Sequence, residues 1–152
     1  MGFVHGEPLV SFSCQDLCAP DLRRRGLTVE SAPPAVLLVD IEADLVLIDG
    51  DRIVWSEERF PVAELARQLM QWLQTADGSD FEFDSMSYAE TGAVCVVRSD
   101  GGWRVGSVFE PPKLWTSPLP WEALAAMVRA FVGEVCMSVL AIGIEPGFIA
   151  AP

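Results

Sequence analysis

Asp40, Glu42 and Asp44 stand at alternate positions in a stretch that is otherwise largely apolar. On a strand, residues two apart share a face at about 6.5–7 Å, so these carboxylates form a row whose like charges repel. Such a row suits a docking surface for arginine and lysine side chains or for a divalent cation; it is equally the wet face of a sheet in an acidic protein. Glu57 and Glu58, on a returning strand, extend it. A second group follows Phe81-Glu82-Phe83, where Asp84, Ser85, Ser87, the only tyrosine (Tyr88) and Glu90 crowd into a turn. Polar side chains in a turn either satisfy nearby backbone or face a partner, and carboxylates such as Asp84 and Glu90 could divide acid and base roles. Trp103, with Trp55 and Trp115, is expected near this surface, and aromatic side chains are favoured interface anchors.

Most catalytic constellations need residues the chain lacks. Its one histidine, His5, lies in an expected loose N-terminus, which argues against a Ser-His-Asp or Cys-His arrangement. There is no GxxxxGK[ST] loop, no strand followed by GxGxxG, and no HExxH. Cys14 and Cys18 lack the second pair a tetrahedral zinc site needs, and Cys95 and Cys136 stand alone. No catalytic residue, metal ligand or cofactor is assigned. The run Arg23-Arg24-Arg25 reads as a solvated loop rather than a phosphate site.

Charge narrows the partners. Residues 40–90 hold thirteen acids against three arginines, which accounts for ten of the chain's twelve net negative charges. A field of that sign attracts basic partners and repels nucleic acid and anionic membrane. The apolar stretch Ala130 to Ile144 is interrupted by Glu134, and a bilayer span needs about twenty apolar residues; a buried helix is expected. Met1 to Gln15 has neither a basic start nor a long apolar run, so a cytoplasmic location with free thiols is expected. Nine arginines to one lysine, with abundant Ala and Pro, suggest a GC-rich bacterial genome.

The elements that would position these residues are legible in the periodicity. Pro8 to Ser13 reads as a short strand and Ala19 to Pro34 as an irregular connection. Val36 to Ile48 reads as a long strand with Leu37, Val39, Ile41, Ala43, Leu45 and Leu47 on one face and the three acids on the other. Asp49-Gly50 signals a hairpin returning over Arg52 to Phe60, and Pro61 precedes a helix whose stripe is Val62, Leu65, Ala66, Leu69, Trp72 and Leu73, with Glu64, Arg67, Gln68 and Gln71 opposite. Phe81 to Asp84, Ala93 to Arg98 and Trp103 to Phe109 read as strands, Glu110 to Pro120 as a loop, and a second helix begins at Trp121. Small residues on that helix, Ala123, Ala126, Ala130 and Gly133, would allow close approach to a neighbour.

The fold expected is one α+β domain over 1–152: a mostly antiparallel sheet of about five or six strands, two helices packed on one face, order β-β-β-α-β-β-β-α, with loose ends at 1–7 and 146–152. The segments VDIEADL (39–45), FPVAELA (60–66), FEFDSM (81–86) and GWRVGSV (102–108) together resemble a family of small bacterial proteins, common in actinobacteria, classed as a domain of unknown function. The resemblance spans about half the chain and implies a fold but no reaction. The acidic, β-rich body with a Trp-containing hairpin is also similar, more loosely, to immunity proteins that neutralise bacterial toxins.

Three functions follow as expectations. The first is a non-enzymatic module whose acidic face, centred on Asp40, Glu42, Asp44, Glu57 and Glu58, binds a basic protein such as a nuclease toxin. The alternative is a small-ligand or metal-dependent enzyme using carboxylates near Asp84 and Glu90, with a pocket there. The third is a homodimer through the helix at 121–144.

Overall fold

The computed structural model describes residues 10–75, 77–86 and 89–150. Alternation of apolar and polar residues builds a first antiparallel sheet from β1 (Val10–Cys18), β2 (Glu42–Asp49) and β3 (Arg52–Phe60), in that order. Val10, Phe12 and Cys14 of β1 and Ala43, Leu45 and Leu47 of β2 are buried, while Ser11, Ser13, Glu42, Asp44 and Val46 are half-buried. Gly50, at φ 67°, takes the left-handed place in the tight turn between the paired Asp49 and Arg52. The predicted first strand is thus present in its described part and runs on to Cys18; Pro8 and Leu9 lie outside the described residues.

The predicted strand over Val36 to Ile48 divides in two. Its first part is α1 (Pro34–Asp40), and only Glu42–Asp49 is strand. Pro34 occupies an early helical position, where its fixed φ and missing N–H cost nothing. Because Val36 to Val39 is uninterruptedly apolar, it fits a period of 3.6 as well as one of 2. Leu37 and Asp40, one helical turn apart, both face inward.

After β3, α2 (Val62–Thr75) buries Val62, Leu65, Ala66, Leu69 and Leu73 as its spacing predicts. It lies at the centre of the molecule, touching α1, β2, α3 (Trp121–Ala141) and the short α4 (Gly147–Ala150). A second antiparallel sheet follows α2 in sequence: β4 (Phe81–Glu82), β5 (Cys95–Ser99) and β6 (Gly102–Gly106). The architecture is α+β, with the expected order of six strands and two long helices. The single sheet expected from sequence is two three-stranded sheets, and the extra helices are α1 and α4. The end expected to be loose from 146 carries α4, where Ile149 is fully buried and the Phe148 carbonyl accepts a 2.6 Å bond from Arg67.

Aromatic rings join the layers. Phe12 meets Phe131 of α3 at 5.1 Å between centroids, and Phe60 meets Phe83 at 5.3 Å. Trp72 of α2 contacts Phe81, Trp103 and Trp121, and Trp103 and Trp121 touch each other. The proline-rich segment 110–120 runs beside β6 and covers its edge. Trp103 and Leu119 exchange backbone bonds of 2.7 and 2.8 Å, and the Val105 amide donates to Thr116 Oγ1 at 2.9 Å. The tip of the first hairpin holds the same segment: Arg52 donates to the carbonyls of Leu114 and Trp115, and the Ser117 amide donates to Asp49 at 2.8 Å. Covering an edge in this way removes a template for unwanted strand pairing.

Trp115 lies flat on Gly106, its indole N–H donating to the carbonyls of Ser107 and Glu110, and a Cβ at Gly106 would overlap the ring. Gly106→Ala is therefore expected to destabilise the fold by about 1–3 kcal/mol, read as a lower urea midpoint. An unchanged midpoint would show that Trp115 is not held there.

Candidate functional site

Asp44 is the centre of the acidic face because both neighbouring strands bulge beside it. On β1 the register slips between Gln15, opposite Asp44, and Cys18, opposite Glu42. On β3 it slips between Phe60, opposite Ala43, and Glu57, opposite Leu45, so that Glu58 and Arg59 together face Asp44. Each bulge contains a non-glycine residue in the left-handed region, Asp16 at φ 58° and Arg59 at φ 55°. Aspartate tolerates that conformation better than arginine does. The Arg59 amide donates to Asp44 Oδ1 at 3.2 Å, which helps to hold the bulge shut. Bulges re-aim side chains, and here Gln15, Asp44, Leu45, Val46, Ser56, Glu57, Glu58 and Arg59 line a groove of about 700 Å³.

The charges in this region act on one another. Partial burial raises the Glu42 carboxyl above its ordinary value; Asp21 and Asp40 raise it further and Arg59 opposes them. The exposed thiol of Cys18 is raised by partial desolvation and by Glu42, Asp16 and Asp44, again against Arg59. Arg59 is thus the base that opposes the surrounding acids at both Glu42 and Cys18. Among the described residues no three His, Cys, Asp or Glu side chains are grouped to hold a metal ion.

Four of the five acids predicted for this face are accessible: Glu42, Asp44 and Glu57 are half-buried and Glu58 is exposed. Asp40 is not on it. Since it ends α1 rather than continuing β2, it turns inward, is 3% exposed, and lies 3.1 Å from Arg25 Nε. That contact is an ion pair without hydrogen-bond alignment, so Asp40 Oδ2 is buried with no hydrogen-bond partner among the described residues. Arg25, from the run that reads as a solvated loop, is its counter-ion.

The second predicted group serves mainly to attach its loop to α2. Ser85 Oγ donates to Glu64 Oε1 at 2.6 Å and the Met86 amide donates to Glu64 Oε2 at 2.9 Å. Gln68 brackets Asp84, donating to its carbonyl at 2.8 Å and accepting from its amide at 3.2 Å. Glu64, expected on the wet side of the helix, is 5% exposed because this loop crosses it. The Asp84 and Glu90 side chains are exposed, and Tyr88 and Ser87 lie outside the described residues. A groove of about 450 Å³ on the second sheet is lined by Asp80, Glu82, Cys95, Val97, Val108 and Trp115, not by Asp84 or Glu90. Trp103, expected as a surface anchor, is 7% exposed within the tryptophan cluster, with the Arg98 guanidinium 5.7 Å from its ring centroid. Burial against Trp72 and Trp121 uses the ring as core.

Sequence reasoning misses Gln15, Asp16 and Arg59. The Asp of Asp16 is mildly suggestive of a left-handed residue, but nothing in the sequence around Arg59 signals one.

Substitutions at two positions test this geometry. On a regular strand alanine is favoured over glycine, but at φ 55° the order should reverse: Arg59→Gly is expected to be more stable than Arg59→Ala by about 1 kcal/mol, measured by urea unfolding. Both variants lose the same charge, so a regular strand here would instead favour alanine. For Glu42 the folded state binds its proton more tightly than the unfolded chain does, so the contribution of Glu42 to stability falls as pH rises through the carboxylate range. Glu42→Gln should consequently be more stable than wild type at neutral pH. The advantage should vanish at acid pH below the unfolded carboxylate value, and a pH-independent gain would assign the effect to something other than charge.

A family model described as a domain of unknown function (DUF7878) matches residues 25–139. No curated protein and no solved structure matches the chain.

Proposed function

The chain belongs to the DUF7878 family of domains of unknown function, and we propose that it is a non-enzymatic binding module whose bulged, acidic end of the first sheet docks a basic protein segment. The observation that carries this reading is the groove at Asp44, which Glu57, Glu58 and a backbone-strained Arg59 line together along β2 and β3. Strained backbone at a surface motivates a functional hypothesis when it arranges side chains that the fold does not otherwise need. Glu57 and Glu58 are accessible, and Asp44 keeps its second carboxylate oxygen for a partner while the first accepts from Arg59.

A partner rich in arginine or lysine would set its charges against Glu42, Asp44, Glu57 and Glu58, occupying positions it otherwise offers to phosphates. The net charge of −12 would speed encounter with such a partner and turn away nucleic acid and anionic membrane. Neutralisation of a basic nuclease toxin, an immunity role inside a bacterial, actinobacterial cytoplasm, is the specific form of this function we favour.

The test is capture of a partner. Tagged protein isolated from its native cells at low salt should release a basic protein when the salt is raised, identifiable by mass spectrometry. The combined substitutions Glu42→Lys, Glu57→Lys and Glu58→Lys should abolish capture while leaving the circular dichroism spectrum unchanged. Asp40 and Asp44 are left intact in that variant because both hold backbone or buried charge. Undiminished capture by the triple variant would overturn the proposal.

A further inference from the structure

Helix α3 is apolar on both sides, but among the described residues only one side has a partner. Leu124, Val128, Phe131, Val135 and Val139 are buried against the body. The opposite side presents Ala126, Ala130, Gly133, Met137 and Leu140, with Met137 68% and Leu140 50% exposed. Counting from the half-buried Ala123, these positions fall at alternating steps of three and four: 123, 126, 130, 133, 137 and 140. That is the seam of a coiled coil, with small residues over its first four positions and large ones over its last two.

Two further features say what the seam meets. Gly133 sits in the interior of a 21-residue helix, where glycine is destabilising relative to alanine, yet a Cβ there would meet nothing within 4 Å. No neighbour among the described residues requires it; a second helix passing close to the backbone would. Arg129 and Glu134 flank the seam on opposite sides, and neither has a hydrogen bond or salt bridge among the described residues. They are five residues apart, the separation at which flanking charges of two parallel helices pair across a coiled-coil seam. An antiparallel arrangement sets like flank against like flank, leaving Arg129 near Cys136 and Glu134 near Met127, each charge without a partner. The seam is therefore complementary to itself in charge in one orientation only.

We propose that the chain forms a homodimer in which the α3 helices of two copies lie parallel along this seam, Arg129 of each pairing with Glu134 of the partner subunit. By length and composition α3 could cross a bilayer, but its inward face is committed to the core, so a second copy of the chain is the occupant the surface fits.

Sedimentation velocity on the full chain, from micromolar to sub-millimolar concentration, should show a reversible dimer; a monomer throughout would overturn the proposal. Gly133→Gln should abolish the dimer while thermal stability at low concentration is unchanged or raised, which separates the interface from folding. Survival of the dimer in that variant would count against close approach at Gly133 and overturn the seam. Arg129→Glu should weaken dimerisation about tenfold, since two symmetry-related pairs are lost, and adding Glu134→Arg to the same chain should restore it. A double variant as weak as the single one would exclude the parallel pairing. A monomer that co-sediments with neutral phosphatidylcholine vesicles would assign the face to lipid instead.

Discussion

Burial of the α2 stripe is the interaction on which the rest of this structure depends. Val62, Leu65, Ala66, Leu69 and Leu73 are withdrawn from water together, and each large side chain so buried contributes about 1.5–3 kcal/mol. The helix that carries them reaches every layer. Its first turns offer Glu64 and Gln68 to the loop at 84–86, its middle offers Arg67 to the carbonyl of Phe148, and its last turn offers Trp72 to the rings of Phe81, Trp103 and Trp121. Displacing α2 would expose the core and would also strand a buried carboxylate. The penalty for an unpaired buried charge is large enough to make this packing cooperative.

The two sheets are joined by side chains and by one irregular segment. Phe60 and Phe83 touch where the first sheet ends and the second begins. Farther along, the proline-rich stretch 110–120 is bonded to β6 on one side and to the tip of the first hairpin, through Arg52 and Asp49, on the other. Prolines at 111, 112, 118 and 120 lower the entropy lost in ordering that stretch. A segment without regular structure can therefore be a structural part, with its backbone groups accounted for by distant side chains. Part of the chain's acidic excess is used up in this way: Asp40, Asp49 and Glu64 serve the fold, while Glu57 and Glu58 remain available at the surface.

The division between structural and available acids separates the candidate surface from the rest of the charge. A run of acids in the sequence looks uniform, yet Asp40 turns inward to Arg25 and Asp44, four residues later, turns outward between two bulges. The bulges concentrate strain and charge at one end of the first sheet. The α3 seam is a separate apolar surface on another element, so docking of a basic segment and self-association make different demands on the molecule.

Much of the architecture is legible locally. The alternation of Ala43, Leu45 and Leu47, the Asp49-Gly50 turn, the α2 stripe and the long apolar helix from Trp121 follow from periodicity and turn chemistry, because each depends only on neighbours along the chain. Glu42, Asp44, Glu57 and Glu58 are also recognisable as accessible acids from their places on strands. What tertiary structure alone decides is which polar groups meet distant donors. Val36–Asp40 could be strand or helix until Pro34 starts a turn and Arg25 receives Asp40. Glu64 looks solvated until the loop at 84–86 arrives with a hydroxyl and an amide. The left-handed Arg59 is invisible in a strand-like sequence, because a bulge is a mismatch between two strands and belongs to neither alone. Periodicity states which side chains leave water; only the assembled chain determines what satisfies those that go with them.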